Sequence, residues 1–388
     1  MGMRLQLHHL TAAMVAVVVT AWLAYNPGVR PSNDIPKTSV AVGVSDAYKM
    51  VLIENGGAVG PESFAFDPHG KGPYAGVSDG RIMKWDILEN HWVDFAVTSS
   101  NRVDECRGSY KEHAKNEHIC GRPLGLCFNM ASGQLYVADA YMGLVVIEPN
   151  GGTATKLISH AVQDQPLGFT NGLDIDQNTG AVYFTTSSSK YERRNYVSLI
   201  LSGDKSGRVI KYEPKSKEIT VLVNNLTFPN GVALSKDGNY ILIVETTKCR
   251  ILRYWLETPK AGTLEVFANL PGFGDNIKRS PRGGFWVGIH SKRETFIKWI
   301  LSYPWIGKGL VMLPLDMTKM YSYLAKIKGS SGMAIRLSDE GDVLEVVEDD
   351  RSGNRKSISE AEERDGILWL GSVDASFAIK YNIPMTQE

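Results

Sequence analysis

Asn171-Gly172-Leu173-Asp174-Ile175, then a turn at Thr179-Gly180, then Val182-Tyr183-Phe184: the fold turns on how this stretch is read. A polar start leads into a short alternating strand. A glycine-containing turn reverses the chain, and a second, more apolar strand returns. The same phrase recurs on both sides. Upstream stand Pro61-Glu62-Ser63-Phe64-Ala65-Phe66 with Tyr74-Ala75-Gly76-Val77, and Leu124-Gly125-Leu126-Cys127-Phe128 with Leu135-Tyr136-Val137. Downstream stand Asn230-Gly231-Val232-Ala233-Leu234 with Tyr240-Ile241-Leu242, and Asp275-Asn276-Ile277 with Phe285-Trp286-Val287. A degenerate sixth copy runs from Ser359-Glu360-Ala361 to Ile367-Leu368-Trp369.

Several copies continue. Gly80–Trp85, Gly207–Tyr212 and Arg250–Trp255 read as third strands, and Thr220–Val223 and Leu264–Phe267 as fourth strands. Four short antiparallel strands, six times, mostly about 45 to 60 residues apart, predict an all-β six-bladed β-propeller over residues 46–388. The sixth copy lacks a fourth strand near Ile383. Tyr48-Lys49-Met50-Val51-Leu52 is positioned to supply it, and closure of the ring removes exposed strand edges.

The chain has 388 residues, 43% hydrophobic, with 42 Lys+Arg against 42 Asp+Glu. That is a globular composition with no net field to hold a polyanion, so no nucleic-acid partner is expected. Residues 1–25 read as a signal peptide or a signal anchor, because an uncharged run from Leu10 to Tyr25 follows Arg4. Residues 26–45 read as a linker. Both alternatives send the rest of the chain into the secretory pathway, and Asn225-Leu226-Thr227 is then a glycosylation sequon at Asn225.

Cys106 and Cys120 flank a polar segment holding Arg107, Lys111, His113, Lys115 and His118. In an exported protein they are expected to form a disulfide that staples a surface loop of about 15 residues. A zinc site of Cys106, His113, His118 and Cys120 is the alternative, though its spacing matches no familiar finger. Cys127 and Cys249 lie in apolar strand-like runs and read as free buried thiols. Two stretches interrupt the repeats: the Cys-bounded loop at 98–121, and an insert at 290–332 in the fifth blade with a helix-like run from Met317 to Ile327. The insert reads as a helix packed on the propeller, as a cap over the central channel, or as a membrane-facing patch that would add to contact through the N-terminal segment.

The chemistry falls at the repeat starts: Glu62, Leu124, Asn171, Asn230, Asp275 and Ser359. First strands line the channel of a propeller, so equivalent starts meet in a ring at one mouth. Four of the six are oxygen donors, and Asn276 would add a fifth. Hard oxygen ligands without thiolate or imidazole select Ca2+, with Mg2+ as the other candidate. The competing reading makes Asn171-Gly172 and Asn230-Gly231 simple hairpin tips. Each pair is, however, followed about eight residues later by a turn of its own.

The strings Gly60-Pro61-Glu62-Ser63, Ser78-Asp79-Gly80-Arg81-Ile82, Cys120-Gly121-Arg122-Pro123-Leu124-Gly125, Tyr136-Val137-Ala138-Asp139-Ala140-Tyr141, Phe228-Pro229-Asn230-Gly231, Gly274-Asp275-Asn276-Ile277-Lys278-Arg279 and Arg364-Asp365-Gly366 resemble a family. It is the plant strictosidine synthase-like family, related to the adipocyte plasma membrane-associated protein. It is more distantly similar to the paraoxonase, gluconolactonase and regucalcin group. The resemblance covers nearly all of residues 45–385. It implies a six-bladed propeller, a small-molecule substrate in the central channel, and residence in the vacuole, the endoplasmic reticulum or outside the cell.

One departure separates the candidate activities. In synthases that condense tryptamine with secologanin, the resemblance implies a catalytic glutamate six positions before the last Asp-Gly. That position here is Ser359, and a serine hydroxyl is a poor base at neutral pH. Glu360 is next to it, but adjacent strand residues face opposite ways. Glu62, Asn171, Asn230 and Asp275, by contrast, fall where the resemblance implies that the hydrolases of the superfamily hold calcium. The leading expectation is therefore a metal-dependent hydrolase of small esters or lactones. Asn171 and Asp275 are the catalytic candidates at the ion, and Arg122 is the orienting cation. The general base is left open among His113, His118 and His290, all expected in loops over the channel. The alternatives are Pictet–Spengler condensation and a non-catalytic calcium-binding propeller.

Overall fold

The computed structural model describes residues 48–53, 57–293, 295–328, 332–348 and 357–384. The signal segment, the linker and residues 294 and 329–331 of the insert lie outside these residues. Six blades of four antiparallel strands follow one another round a ring, and the first gains a short fifth strand, Gly152–Thr153, paired in parallel with its outer edge. Blade 1 holds Phe64–Ala65, Tyr74–Gly76, Arg81–Asp86 and His91–Val97; blade 2 holds Pro123–Phe128, Leu135–Asp139, Gly143–Ile147 and Thr155–Ile158. Blade 3 holds Thr170–Ile175, Val182–Thr186, Gly207–Glu213 and Glu218–Leu226, and blade 4 holds Pro229–Leu234, Tyr240–Glu245, Arg250–Trp255 and Leu264–Asn269. Blade 5 holds Gly272–Arg279, Phe285–Lys292, Met333–Leu337 and Val343–Glu348. Blade 6 takes Ala361–Arg364, Ile367–Leu370 and Phe377–Asn382 from the C-terminal end and its outer strand, Tyr48–Leu52, from the N-terminal end. Tyr48 pairs with Tyr381 and Leu52 with Phe377, so the closing strand stands where the repeat pattern put it.

The apolar core is divided among the seams. Phe64, Trp85, Trp92 and Trp369 join blades 1 and 6; Tyr74, Ile82, Leu126 and Val137 join blades 1 and 2. Trp286, Ala334, Leu368 and Leu370 join blades 5 and 6. Period-2 alternation supplies both faces of each blade with apolar residues, because each blade is covered on both sides by its neighbours. The middle of the ring is left to the first strands.

The glycine that follows the ring position serves that close approach. A Cβ on Gly172 would lie 2.7 Å from the Asn230 carbonyl oxygen, and one on Gly231 2.6 Å from the Ile277 nitrogen. Both glycines sit inside strands, and the turns come later, at Gly180 and Gly238 with φ of 82° and 75°. The Asn-Gly pairs are thus inter-blade contacts and not hairpin tips.

The segment expected as a Cys-bounded loop is helical. Helix α1, Tyr110–Cys120, starts at Ser109 with a capping box to Glu112 and ends at the disulfide Cys106–Cys120. The serine-to-glutamate spacing needed for that cap is local, and it was outweighed in the sequence by the polar character of the segment. Helix α2, Tyr196–Ser202, lies between the second and third strands of blade 3. The blade 5 insert forms α3 (Thr295–Ser302), α4 (Pro304–Val311) and α5 (Met317–Lys328). Leu201 of α2 packs with Ile300, Ile306, Leu310 and Met317 of the insert. Gly307 permits this crossing, since a Cβ there would collide with the Leu201 carbonyl oxygen. Among the described residues, no helix is long and apolar enough to cross a membrane.

Candidate active site

Glu62, Asn171, Asn230 and Asp275 line one cavity at the channel mouth. Each comes from the first strand of its blade or, for Glu62, from the residues leading into it. All four are buried, between 1% and 6% exposed. The Asn171 amide nitrogen donates to Ser187 Oγ at 3.0 Å, and the Asn230 side chain hydrogen-bonds Asp275. The Oδ1 atoms of Asn171 and Asn230 are buried without a donor. Burial pushes the Glu62 carboxyl up against the pull of Arg122. Burial, and then the charge of Glu62, hold the Asp275 carboxyl well above the ordinary range. Two unmatched amide oxygens beside two carboxylates that repel one another form an acceptor-rich pocket suited to a hard cation. Among the described residues, no three His, Cys, Asp or Glu side chains group to hold a metal; the acceptors gathered here are two carboxylates and two amides.

The other expected residues divide. Arg122 is buried and does not line the cavity; its guanidinium meets Glu62 at 3.3 Å and the Val373 carbonyl at 3.1 Å. It holds Glu62 in place from behind. Asn276 does not line the cavity either, and its backbone N–H donates to the Ser359 carbonyl, so the strand alternation excludes it from the donor set. Ser359 is also outside the cavity: its hydroxyl donates to the Glu62 carbonyl at 2.7 Å. The vacant position, Leu124, packs with Phe169, Leu199 and Phe228.

The histidines are not in loops. His113 lies on α1, buried, and shares a 2.9 Å hydrogen bond with Ser78 Oγ; His118 is exposed on the same helix. His290 stands on the second strand of blade 5 and lines the cavity. Burial lowers its basicity, so the imidazole is neutral at pH 7. Cys127 and Cys249 are free as expected, but only Cys249 is buried; Cys127 is partly exposed. Cys249, however, occupies a left-handed turn before its strand, with φ of 50°. Asn225 is exposed on the outer strand of blade 3.

Sequence reasoning missed the rest of the cavity. Phe169, Tyr196, Phe228, Phe273 and Tyr321 supply apolar walls, Ile297 and Tyr321 belong to the insert, and Arg193 adds a cation. The insert is therefore a cap on the mouth. The one local signal for Arg193 was the length of the segment between the second and third strands of blade 3, with Tyr191, Arg193, Arg194 and Tyr196 close together.

A second ring lies three residues further along each first strand: Ala65, Cys127, Asp174, Ala233, Lys278 and Glu362. Lys278 of blade 5 donates to the Leu126 carbonyl at 3.0 Å, in the blade directly opposite, and lies 3.8 Å from Glu360. Glu360 accepts from the Phe64 N–H, and Asp174 from the Leu234 N–H at 2.7 Å. Burial pushes Glu360 up to about 7 and Glu362 up to about 8, against Lys278.

The molecule is thus a six-bladed propeller with an acceptor-rich pocket beneath a helical cap. The chain belongs to the strictosidine synthase-like family. The strictosidine synthase family model matches residues 171–259, and the N-terminal model of strictosidine synthase-like proteins matches residues 49–85. Protein strictosidine synthase-like 2 of Arabidopsis thaliana is 52% identical over 339 residues, 86% of this chain and 89% of that protein. Protein strictosidine synthase-like 10 of the same plant is 49% identical, covering 90% and 91%. Among solved structures, a gluconolactonase from Xanthomonas campestris aligns with a TM-score of 0.54 at 13% identity, covering 87% of this chain and 89% of that one. The calcium-binding protein regucalcin from Agrobacterium tumefaciens aligns at 0.55 and 15%, covering 86% and 93%. At such identities these likenesses establish the fold alone.

Proposed function

We propose that the protein hydrolyses small esters or lactones with a divalent cation, Ca2+ or Mg2+, held by Glu62, Asn171, Asn230 and Asp275. The observation that carries this reading is the pair of buried, undonated amide oxygens beside two mutually repelling carboxylates in one cavity. A buried polar group without a partner costs about 1–3 kcal/mol, and a cation would offset that cost at both amides. Bound there, the ion would supply carbonyl polarisation and stabilise a developing oxyanion. The chain's own residues do the rest. Phe169, Phe228, Phe273 and Tyr321 hold the apolar body of the substrate and exclude water. His290, neutral in the cavity wall, accepts the proton of the attacking water. Arg122 keeps the Glu62 carboxylate at the mouth. Condensation chemistry lacks its carboxylate here, because Ser359 is turned to a backbone carbonyl and Glu360 towards the second ring. The disulfide accords with an oxidising compartment, and we place the protein in the secretory pathway.

The test is turnover of phenyl acetate and of an aliphatic lactone, with and without chelator and with Ca2+ restored. Hydrolysis that chelator abolishes and Ca2+ restores is expected, and Asn230→Ala should lose both ion affinity and turnover. Condensation of tryptamine with secologanin that is indifferent to chelator would overturn the reading. A calcium-dependent rise in melting temperature with no turnover of any ester would reduce it to a structural ion.

A further inference from the structure

Arg193 is, among the described residues, the only lining side chain of this cavity with a permanent positive charge. It comes from the segment between the second and third strands of blade 3, just before α2. Its Nη1 donates to Glu117 Oε1 at 2.7 Å, and 17% of the side chain is exposed. The other oxygen of Glu117 accepts from Tyr141 at 2.9 Å. Glu117 itself is 3% exposed and sits in the last turn of α1. Three fastenings hold that helix: its capping box at one end, the Cys106–Cys120 disulfide at the other, and His113 on Ser78 between them.

The arrangement is a directed one. A guanidinium anchored by one nitrogen keeps its remaining N–H groups in a planar fork, and that fork suits a carboxylate. The cavity thus has two unlike poles. The acceptors at the ring residues attract a cation and Arg193 attracts an anion; Arg193 is near enough to feel the charges of Glu62 and Asp275, and aromatic and aliphatic side chains make up most of the remaining lining. Neither pole suits a ligand that is apolar throughout.

We propose that Arg193 is a specificity-determining anchor for a substrate carboxylate, set in position by Glu117 on the disulfide-fastened helix, so that the substrate is an apolar molecule carrying an anionic end. This deepens the hydrolase reading and rests on it for the reaction, but its recognition step is measurable without turnover. Glu117 is a positioning residue in this scheme. Loss of the disulfide acts through it, by releasing the end of α1 that carries it.

The experiment measures binding of matched probes to the full chain with Ca2+ present: 3-phenylpropionate, 3-phenylpropanamide and phenethylamine. The carboxylate is expected to bind about 10- to 100-fold tighter than the amide, the range of a charge-assisted hydrogen-bonded pair. Arg193→Gln should collapse that ratio to near one, and Arg193→Lys should keep part of it. Glu117→Ala should lower the ratio, and Glu117→Gln, which retains an acceptor for Nη1, should restore most of it. Cys106→Ser with Cys120→Ser should behave as Glu117→Ala does. A merely structural role would instead lower affinity for all three probes together. Equal affinity for carboxylate and amide in the wild-type chain would overturn the proposal, as would tightest binding of the amine. A preference that survives Arg193→Gln but disappears with chelator would also overturn it, because the carboxylate would then sit on the ion. If the carboxylate preference appears while no ester is hydrolysed, the hydrolase reading fails and this one stands. If esters are hydrolysed without the preference, the anchor fails and the hydrolase reading stands.

Discussion

Three residues separate two rings that do opposite things with charge. At the mouth, Glu62, Asn171, Asn230 and Asp275 collect acceptors; the cation that touches them, Arg122, stands behind Glu62 outside the cavity. One turn of the pleat deeper, Lys278 crosses to the opposite blade and meets Glu360 near Glu362, while Asp174 is satisfied by a backbone N–H. The lower ring carries its own counter-charge, and the upper ring leaves two amide oxygens undonated. Stability and function part company here. A cluster that holds a lysine among its acids serves cohesion of the blades, whereas one with buried, undonated amide oxygens is poised for a ligand.

Asp275→Ala tests this contrast most severely. We expect ester turnover to fall about 1000-fold, as for loss of a group that supports the transition-state charge. The metal-free protein should lose no stability, because a buried carboxylate repelled by Glu62 has been removed. Chemical denaturation in chelator checks the second half; a marked loss of stability there would make the upper ring structural.

Lys278→Met should do the converse. Glu360 and Glu362 lose their cation, and removal of one partner of a buried pair costs about 3 kcal/mol. The loss should be greatest near pH 9 and smaller near pH 6, where both glutamates take up protons. Ion affinity at the mouth, read by calorimetry, should not change. A parallel fall in ion affinity would merge the two rings into one site.

A buried acid outside both rings gives the control. Glu363 accepts from Ser280, Arg282 and Trp286 across the seam of blades 5 and 6. Burial opposes its charge, but these bonds outweigh it and lower its pKa. A depressed acid lends stability above its unfolded pKa of about 4.5 and loses it as pH falls through the folded value. Glu363→Gln should therefore cost about 1–2 kcal/mol at pH 7 and progressively less below pH 4.5, with Trp286 emission as the probe. Equal cost at every pH would show that the charge of Glu363 is irrelevant.

The smallest effect belongs to Glu362→Gln. Its acid is raised to about 8, so the folded state binds the proton more tightly than the unfolded chain does. Stability from this group is complete below about pH 4.5 and is lost as pH rises through 8. The variant should flatten the decline in melting temperature between about pH 4.5 and pH 8 without altering ion binding. An unchanged slope would remove Glu362 from the lower ring.

Much of this architecture was legible. Alternation along strands such as Leu173 to Ile175 and the turn glycines Gly180 and Gly238 are local, and each repeat restates them. The four polar residues at the mouth were legible for the same reason: a repeat puts equivalent positions at equivalent places. The lower ring was present in the same register, three residues on, but Ala65, Cys127, Asp174, Ala233, Lys278 and Glu362 share no chemistry that would mark them as a set. The helix at Tyr110–Cys120 was hidden by its polarity, although its serine-to-glutamate cap stood in plain view.

The order of residues thus specified the number of blades, the closing strand and the four oxygen donors, because period, turn chemistry and repeat register act over a few residues. Which neighbours those donors meet was settled only in three dimensions. Nothing in the spacing joins Arg193 to Glu117, Arg122 to Glu62, or the hydroxyl of Ser359 to a carbonyl almost three hundred residues away. Nor does it bring Ile297 and Tyr321 of the blade 5 insert over a cavity that also takes residues from blades 1, 3 and 4. Those contacts form when the ring closes, and ring closure depends on packing at all six seams at once.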